Sequence, residues 1–507
     1  MLFSSAVFIL AFLPASLVLY HLSPGRRVKN LVLLALSLLF YAWGDPTYLW
    51  LLVLAILVNW AFARGISARS PRSKAMLACA IVVDVAILAF YKYEGFVAEN
   101  LSGLLGVGVP DLDLPMPVGI SYYTLKLVTY VVDVYRGDAE PRRNPLDLAL
   151  YASFFPAMTA GPIVRYADFA PQIDGRKETL DRFVAGIRLF AIGLSKKVLL
   201  SNVVAILASD MLARGGSSIG AVGAWSGLLA YSMQLYFDFS GYSDMAIGIS
   251  KMLGFEIGKN FNYPYISKSV TEFWRRWHIS LSTFFRRYIY IPMGGSRVSD
   301  ARLVLNLSVV WVLTGVWHGA AWNFIFWGVF YLIVLLGEKF VWGAAVSRLP
   351  GALRHLYVIF VFMISWALFW ISDLGELGTY LAALFGTYGA FGTSTPWELQ
   401  AWAYVPVLVA CVVASTPLVP WVRSHVLLWC AGGPRSSDDY GVGYKEVGSE
   451  LLCDCSGYGE TVEPKGGRIA LWRILCVACD LVLLVLMALS IMSIVAGSFS
   501  PLIYFGF

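Results

Sequence analysis

Residues Leu303–Glu338 run for 36 positions without a charged side chain before the last one. A helix needs only about 20 apolar residues to cross ~30 Å of hydrocarbon, so this run alone points to a membrane. Others repeat the pattern: Phe3–Tyr20, Leu31–Trp43, Tyr48–Phe62, Ala75–Tyr91, Val118–Tyr135, Leu146–Ile163, Ile219–Leu253, Leu356–Ile371, Trp402–Val422 and Ile469–Val495. Only 14% of the 507 residues are charged, against about 25% in soluble chains. Too few polar side chains remain to coat several soluble domains. A soluble multidomain enzyme, a disordered hub and a disulfide-built secreted module are excluded. The expected fold is an all-α polytopic membrane protein of about 10–12 transmembrane helices with re-entrant and interfacial helices.

The net charge of +6 reads as loop charge rather than as a nucleic-acid surface, because cytoplasmic loops of membrane proteins collect Lys and Arg. Arg26, Arg27 and Lys29 follow the first run, and Arg64, Arg69, Arg72 and Lys74 follow the third. Both groups fit an N-terminus outside the cytoplasm. No positive charge precedes the first run, so it reads as a span, not a removed leader. Cys79, Cys411, Cys476 and Cys479 lie in apolar stretches and read as buried, inert thiols. Cys453 and Cys455 stand in a polar loop with no matching ligand pair, and no metal is assigned. That loop, 431–468, holds nine glycines and seven acidic against four basic residues. It reads as a flexible connection between the last two spans.

Ala160-Gly161-Pro162, Gly193, Lys196-Lys197 and Gly241 interrupt otherwise continuous apolar segments. Broken backbone at membrane depth is tolerated only where protein or a watery cavity satisfies it. The breaks therefore predict half-helices lining a central cavity.

The segment Ser269–Pro292 has the richest chemistry. Ser269 and Glu272 have the spacing of a capping box that starts a helix at Val270, and Pro292 ends it. Val270, Phe273, Trp274, Trp277, Leu281, Phe284 and Phe285 make one apolar face. Arg275, Arg276, Arg286, Ser282 and Thr283 fall largely opposite. Such a helix lies in the membrane interface, where the plain reading of its arginines is contact with lipid phosphate. His278 falls on the apolar side and needs a partner, since an unpaired buried polar group costs ~2–7 kcal/mol.

His318 sits near the middle of the uncharged run, where an ionisable residue is by default a functional hypothesis. Gly315, Gly319 and Ala320 beside it remove bulk, for a ligand or for helix packing. An imidazole can take a proton from a hydroxyl and return it to a leaving group. No nucleophile elbow or serine triad accompanies it, so direct attack by an acceptor hydroxyl is the economical chemistry. Gln234 and Asp238 share a helical face and Asp244 follows Gly241. These three, like Asp84 and Asp133, read first as structural polar contacts. Gly294-Gly295-Ser296-Arg297 reads as a turn.

The stretches PVGISYYTLKLVTYVVDVYRG at 117–137, AGPIVRY at 160–166, QLYFDFSGYSDMAIGISKMLGF at 234–255, the 260–297 segment, LTGVWHGAAWNFIFWG at 313–328 and the closing PLIYFGF together resemble the membrane-bound O-acyltransferase family, in its bacterial polysaccharide-acetylating branch. The resemblance implies a helical body pierced by a tunnel, His318 as the catalytic histidine and His278 as the second polar position; pointing inward, His278 is expected to hold the thioester carbonyl or oxyanion. It implies acetyl-CoA as a cytoplasmic acyl-donor substrate, with no permanently bound cofactor. An exopolysaccharide is the implied acceptor, reached through a periplasmic SGNH-type partner from the inner membrane. Arg275, Arg276, Arg286, Trp274 and Trp317 are then the donor-binding candidates, and Gln234, Asp238 and Asp244 the supporting network. The family usually carries Phe-Arg-Asp where this chain has Phe285-Arg286-Arg287. D-alanyl transfer to teichoic acid is the alternative within the family, and a proton-coupled transporter the alternative outside it.

Overall fold

The computed structural model describes residues 2–66, 71–391, 398–430 and 468–497, and all its regular elements are helical. The polar loop with Cys453 and Cys455 (431–467) and the closing 501–507 stretch lie outside the described residues.

A π-helical turn leads into α1 (Leu13–Leu22), followed by α2 (Gly25–Gly44), α3 (Leu49–Gly65) and α4 (Pro71–Leu105). Next comes α5 (Ile120–Arg136), bracketed by Gly119 and Gly137, both left-handed at φ 72° and 79°. The next helix, α6 (Pro145–Ser153), starts where the Asn144 side chain accepts the Leu146 N–H and proline fills the first position. Then come α7 (Tyr166–Gly175), α8 (Leu180–Ser195), α9 (Asn202–Arg214) and α10 (Gly216–Met252). Two short helices, α11 (Val270–Arg276) and α12 (Ile279–Phe285), precede α13 (Asp300–His318) and α14 (Trp322–Phe340). The remainder is α15 (Gly343–Arg348), α16 (Gly351–Trp370), α17 (Leu374–Leu384), α18 (Glu398–Ala414), α19 (Leu418–Cys430) and α20 (Arg468–Val495).

Among the described residues seven helices are long and apolar enough to span a membrane, or eight if bent α18–α19 is one span. The chain is an all-α, multi-pass membrane protein, with fewer such spans than the ten to twelve expected. The run Leu146–Ile163 is not one helix. It breaks after Ser153 into a short 3-10 turn and irregular chain, as Ala160-Gly161-Pro162 foretold. The run Val118–Tyr135 forms α5, but 14 of its 17 residues are buried by protein. It carries two buried charged side chains, Lys126 bonded to the Ala152 carbonyl at 3.0 Å and Asp133 accepting from Tyr288 at 2.7 Å. Hydrophobicity alone does not separate burial in protein from burial in lipid.

Gly241 does not break the chain. It lies inside continuous α10, and a Cβ there would stand 2.7 Å from the Gly193 carbonyl oxygen. Gly186 and Gly248 make a second such pair seven residues along, with both Cβ approaches at 2.6 Å. The glycines therefore let α8 and α10 touch backbone to backbone. The real irregularities are Gly220, where α10 kinks, and the π-helical Lys196–Ser201 joining α8 to α9. The thiols also depart from expectation. Cys411 is buried, but Cys79 and Cys479 are exposed on α4 and α20, helices with few buried residues.

The core divides in two. One cluster joins α1–α8 to the second half of α10 from Tyr242 onward; the other joins α9 and the first half of α10 to α11, α14, α16 and α17. Trp317 belongs to the first cluster and Trp327 and Phe369 to the second, so the end of α13 stands at their seam.

Candidate active site

The Ser269 side chain accepts the Glu272 N–H at 3.0 Å and the Glu272 carboxylate accepts the Lys268 N–H at 2.9 Å. The capping box thus starts α11 at Val270. The helix does not continue to Pro292. It ends at Arg276, and His278 takes left-handed backbone angles, φ 44° and ψ 54°, before α12 begins at Ile279. Such angles are uncommon outside glycine, although His, like Asn and Asp, adopts them more often than most side chains, and they cluster at functional sites.

Asn260 holds this break together. Its backbone carbonyl accepts the Ile279 N–H at 2.9 Å, and its Oδ1 accepts the Ser280 N–H at 3.1 Å and the Ser280 hydroxyl at 2.9 Å. His278 Nδ1 lies 3.2 Å from the same Oδ1. An oxygen already accepting a backbone N–H can only accept from the imidazole, so the proton is on Nδ1 and Nε2 carries a bare lone pair. Nε2 meets no partner among the described residues, and the ring is 1% exposed. Burial pushes the imidazole down to about 3, which keeps it neutral. In this state Nε2 accepts hydrogen bonds and cannot donate one to a carbonyl oxygen.

His318 is the last residue of α13 and is 5% exposed. Trp317, Trp327 and Phe369 stand at 5.1, 5.0 and 5.3 Å, all at steep angles to its ring. The Trp317 ring is also 6.1 Å from His278, so one indole touches both imidazoles across the seam. The indole N–H groups of Trp317 and Trp327 meet no acceptor among the described residues. Gly315 and Gly328 bring α13 and α14 together, each with its Cβ position 2.5 Å from a backbone oxygen of the other helix. The bulk removed at Gly315 is thus taken up by helix packing.

A cavity of about 650 Å³ opens beside α11 and α12 and runs along α13. Arg275, Arg286, Lys339 and Arg354 line it together with Trp274; Arg275 and Leu281 each stand three residues from His278, and Thr314 on α13 is the lining residue nearest His318 in sequence. Thr314 is four residues before His318, about 6 Å along a helix. The Trp274 ring packs on Trp311 and Trp327 at 4.8 and 5.7 Å, and Trp327 in turn packs on His318. Arg276 is not in the cavity lining; it is bound to Glu272 and to the Asn262 carbonyl at 2.9 and 3.0 Å. The sequence-level donor set thus divides: Trp274, Arg275 and Arg286 line the cavity, Trp317 stands with the histidines, and Arg276 secures its own helix.

The carboxylates follow their structural reading. Asp238 pairs with Lys197 at 2.5 Å and Asp244 with Lys196 at 2.6 Å, tying α10 to the π-helical turn. The backbone carbonyl of Gln234 accepts from Ser201 at 3.0 Å. Two residues that touch the site were not singled out from sequence. Asn260 sits in the 260–297 stretch, where nothing in its spacing marks it. Lys92 donates to the carbonyls of Trp317 and His318 at 2.6 and 3.3 Å, yet its charge had served only to end the apolar run before it.

Residues 142–372 match the pattern of MBOAT, the membrane-bound O-acyltransferase family. The chain is 36% identical over its whole length to a probable alginate O-acetylase of Azotobacter vinelandii, also covered whole. A probable alginate O-acetylase of Pseudomonas aeruginosa is 36% identical with full coverage of both chains. The peptidoglycan O-acetyltransferase of Helicobacter pylori is 34% identical over 77% of this chain and 80% of its own. Two imidazoles buried at the seam of a multi-pass helical body, together with full-length relatives at this identity, make the chain a member of the membrane-bound O-acyltransferase family and an O-acyltransferase.

Proposed function

We propose that the protein acetylates a hydroxyl of an exopolysaccharide, directly or through a periplasmic SGNH-type partner, with acetyl-CoA entering from the cytoplasmic side of the inner membrane. Support for the acetyl group comes from relatives whose names specify acetylation of alginate or peptidoglycan. The basic cavity supports a phosphate-bearing donor: Arg275, Arg286, Lys339 and Arg354 suit phosphates, and Trp274 suits the pantetheine arm. With Arg26, Arg27 and Lys29 at the start of α2 facing the cytoplasm, the N-terminus lies in the periplasm.

In this reading His318 takes the proton of the acceptor hydroxyl as its oxygen attacks the thioester carbonyl carbon. The carbon–sulfur bond then breaks, and the proton passes to the leaving thiolate, giving free coenzyme A and an O-acetyl ester. The bare Nε2 of His278 accepts a hydrogen bond from a substrate O–H or N–H and so orients it. The unpartnered indole N–H groups of Trp317 and Trp327 are the donors at hand for the carbonyl oxygen as it becomes negative. The observation that carries the proposal is the pair of buried imidazoles sharing the Trp317 ring.

The test is O-acetyl content of the secreted polymer in cells whose only copy is His318→Ala, with the protein quantified in the membrane. Loss of acetylation at normal protein level is expected. Normal acetylation by that variant would remove His318 from the mechanism.

A further inference from the structure

Helix α13 has its chemistry at its end, and a helix end is where backbone carbonyls lack intrahelical partners. Water is not available to satisfy them inside a membrane. Gly319 leaves α13 in extended backbone, so no local turn closes the last carbonyls. Helix α4 supplies the donors instead. The Tyr93 hydroxyl donates to the Val316 carbonyl in a short hydrogen bond. Lys92 Nζ donates to the carbonyls of Trp317 at 2.6 Å and His318 at 3.3 Å, and approaches the Ser121 hydroxyl at 3.5 Å. Its cation also stands 5.8 Å from the Trp317 ring centroid. All of these partners are neutral.

A lysine within a spanning helix is costly and marks function by default. Capping a carbonyl needs no charge, because a serine or asparagine does it. An ammonium has three donors on a compact head, and here two of them fix consecutive carbonyls on either side of the His318 Cα. That fixes the peptide plane from which the imidazole projects. The same head rests against the indole that touches both histidines, so one side chain references the whole pair to α4.

We infer that Lys92 is a positioning residue of the active site, holding the Trp317–His318 end of α13 in register with His278 by binding its terminal carbonyls. The inference rests on the reading of His318 as the reacting imidazole. The hydrogen bonds of Lys92 at the end of α13 go to backbone carbonyls, so it acts through His318. Misplacing a reacting group by about 1 Å can lower turnover ~100-fold, which sets the size of the effect.

The test uses inverted membrane vesicles carrying the full chain and radiolabelled acetyl-CoA, with maximal transfer rate per folded protein and KM measured separately. Lys92→Met should lower the maximal rate ~10–100-fold while KM for acetyl-CoA stays within about twofold, because the donor cavity is untouched. Lys92→Arg, which keeps charge and donors, should recover a large part of the rate. Placed in a His318→Ala background, Lys92→Met should cost nothing further. A maximal rate for Lys92→Met within twofold of the unaltered protein overturns the inference, as does a loss carried by KM alone or one that Lys92→Arg fails to relieve. His318→Ala on its own separates the two claims. If it is inactive while Lys92→Met is normal, only the positioning role fails; if it is active, both fail.

Discussion

The two histidines stand against the same indole but are held by opposite means. His278 is fixed by its side chain: Asn260 binds Nδ1, and the backbone is forced into a left-handed turn between two seven-residue helices. His318 is fixed by its backbone: it ends a 19-residue helix whose last carbonyls are gripped by α4, while aromatic edges surround its ring. A side chain whose ring nitrogen is committed to a neighbour has a set tautomer and a set role. With the His278 proton held on Nδ1 by Asn260, the proposed division of labour gives the proton transfer to His318 and an orienting role to His278.

The largest expected effects test that division. His318→Ala should lower acetyl transfer by ~10²–10⁴, the range of a lost general base. His318→Asn should be no better, because an amide cannot take the proton. At His278 the two substitutions should separate. Asparagine tolerates left-handed backbone better than other side chains and offers an acceptor oxygen, so His278→Asn should retain more transfer than His278→Ala. Equal loss in the two His278 variants, with His318→Asn active, would reverse the assignment. Transfer from labelled acetyl-CoA in vesicles measures all four.

Asn260 comes next in size. Asn260→Ala removes the acceptor that fixes the His278 tautomer and frees the Ser280 N–H, a buried loss of about 1–3 kcal/mol. Thermal unfolding in detergent should fall accordingly, and transfer per folded protein should fall as well, because Nε2 no longer stays reliably bare. Unchanged transfer at reduced stability would leave Asn260 as scaffold alone. Gly241→Ala is the opposite case, far from the imidazoles in role. Its Cβ would press on the Gly193 carbonyl, so about 1–3 kcal/mol of stability should go with transfer per folded protein intact.

Those residues also show how much of the molecule was legible in advance. The membrane class followed from missing charge, and most helix positions followed from apolar runs. The capping box at Ser269 gave the start of α11 to the residue, since its two hydrogen bonds are local. The break at His278 was not legible. Its left-handed turn is held by Asn260, 18 positions away, and the modest tolerance of histidine for such backbone is too weak a signal to announce it. Gly241 and α5 failed for a related reason: hydropathy says that a segment avoids water, not whether its neighbour is lipid or another backbone. Lys92 was hidden by the opposite error, because a charge at the edge of an apolar run looks like the end of a span. In the structure α4 continues thirteen residues beyond it, to Leu105.

The last expected effect concerns protons and bears on His278 alone. Its folded value of about 3 lies below the ordinary imidazole value of ~6.5 because burial disfavours the charged ring. Above pH ~6.5 the folded and unfolded chains both carry the neutral ring, so this residue makes no difference to stability with pH. Below that point the unfolded chain takes up a proton that the folded chain refuses, and the unfolded state gains. Stability should therefore fall as the pH drops from ~6.5 toward 3. His278→Asn, which cannot titrate, should flatten part of that slope in detergent unfolding, and the difference between the two curves should vanish above neutrality. An unchanged slope would mean that His278 accepts a proton in the folded protein, and the fixed-tautomer half of the comparison would not stand.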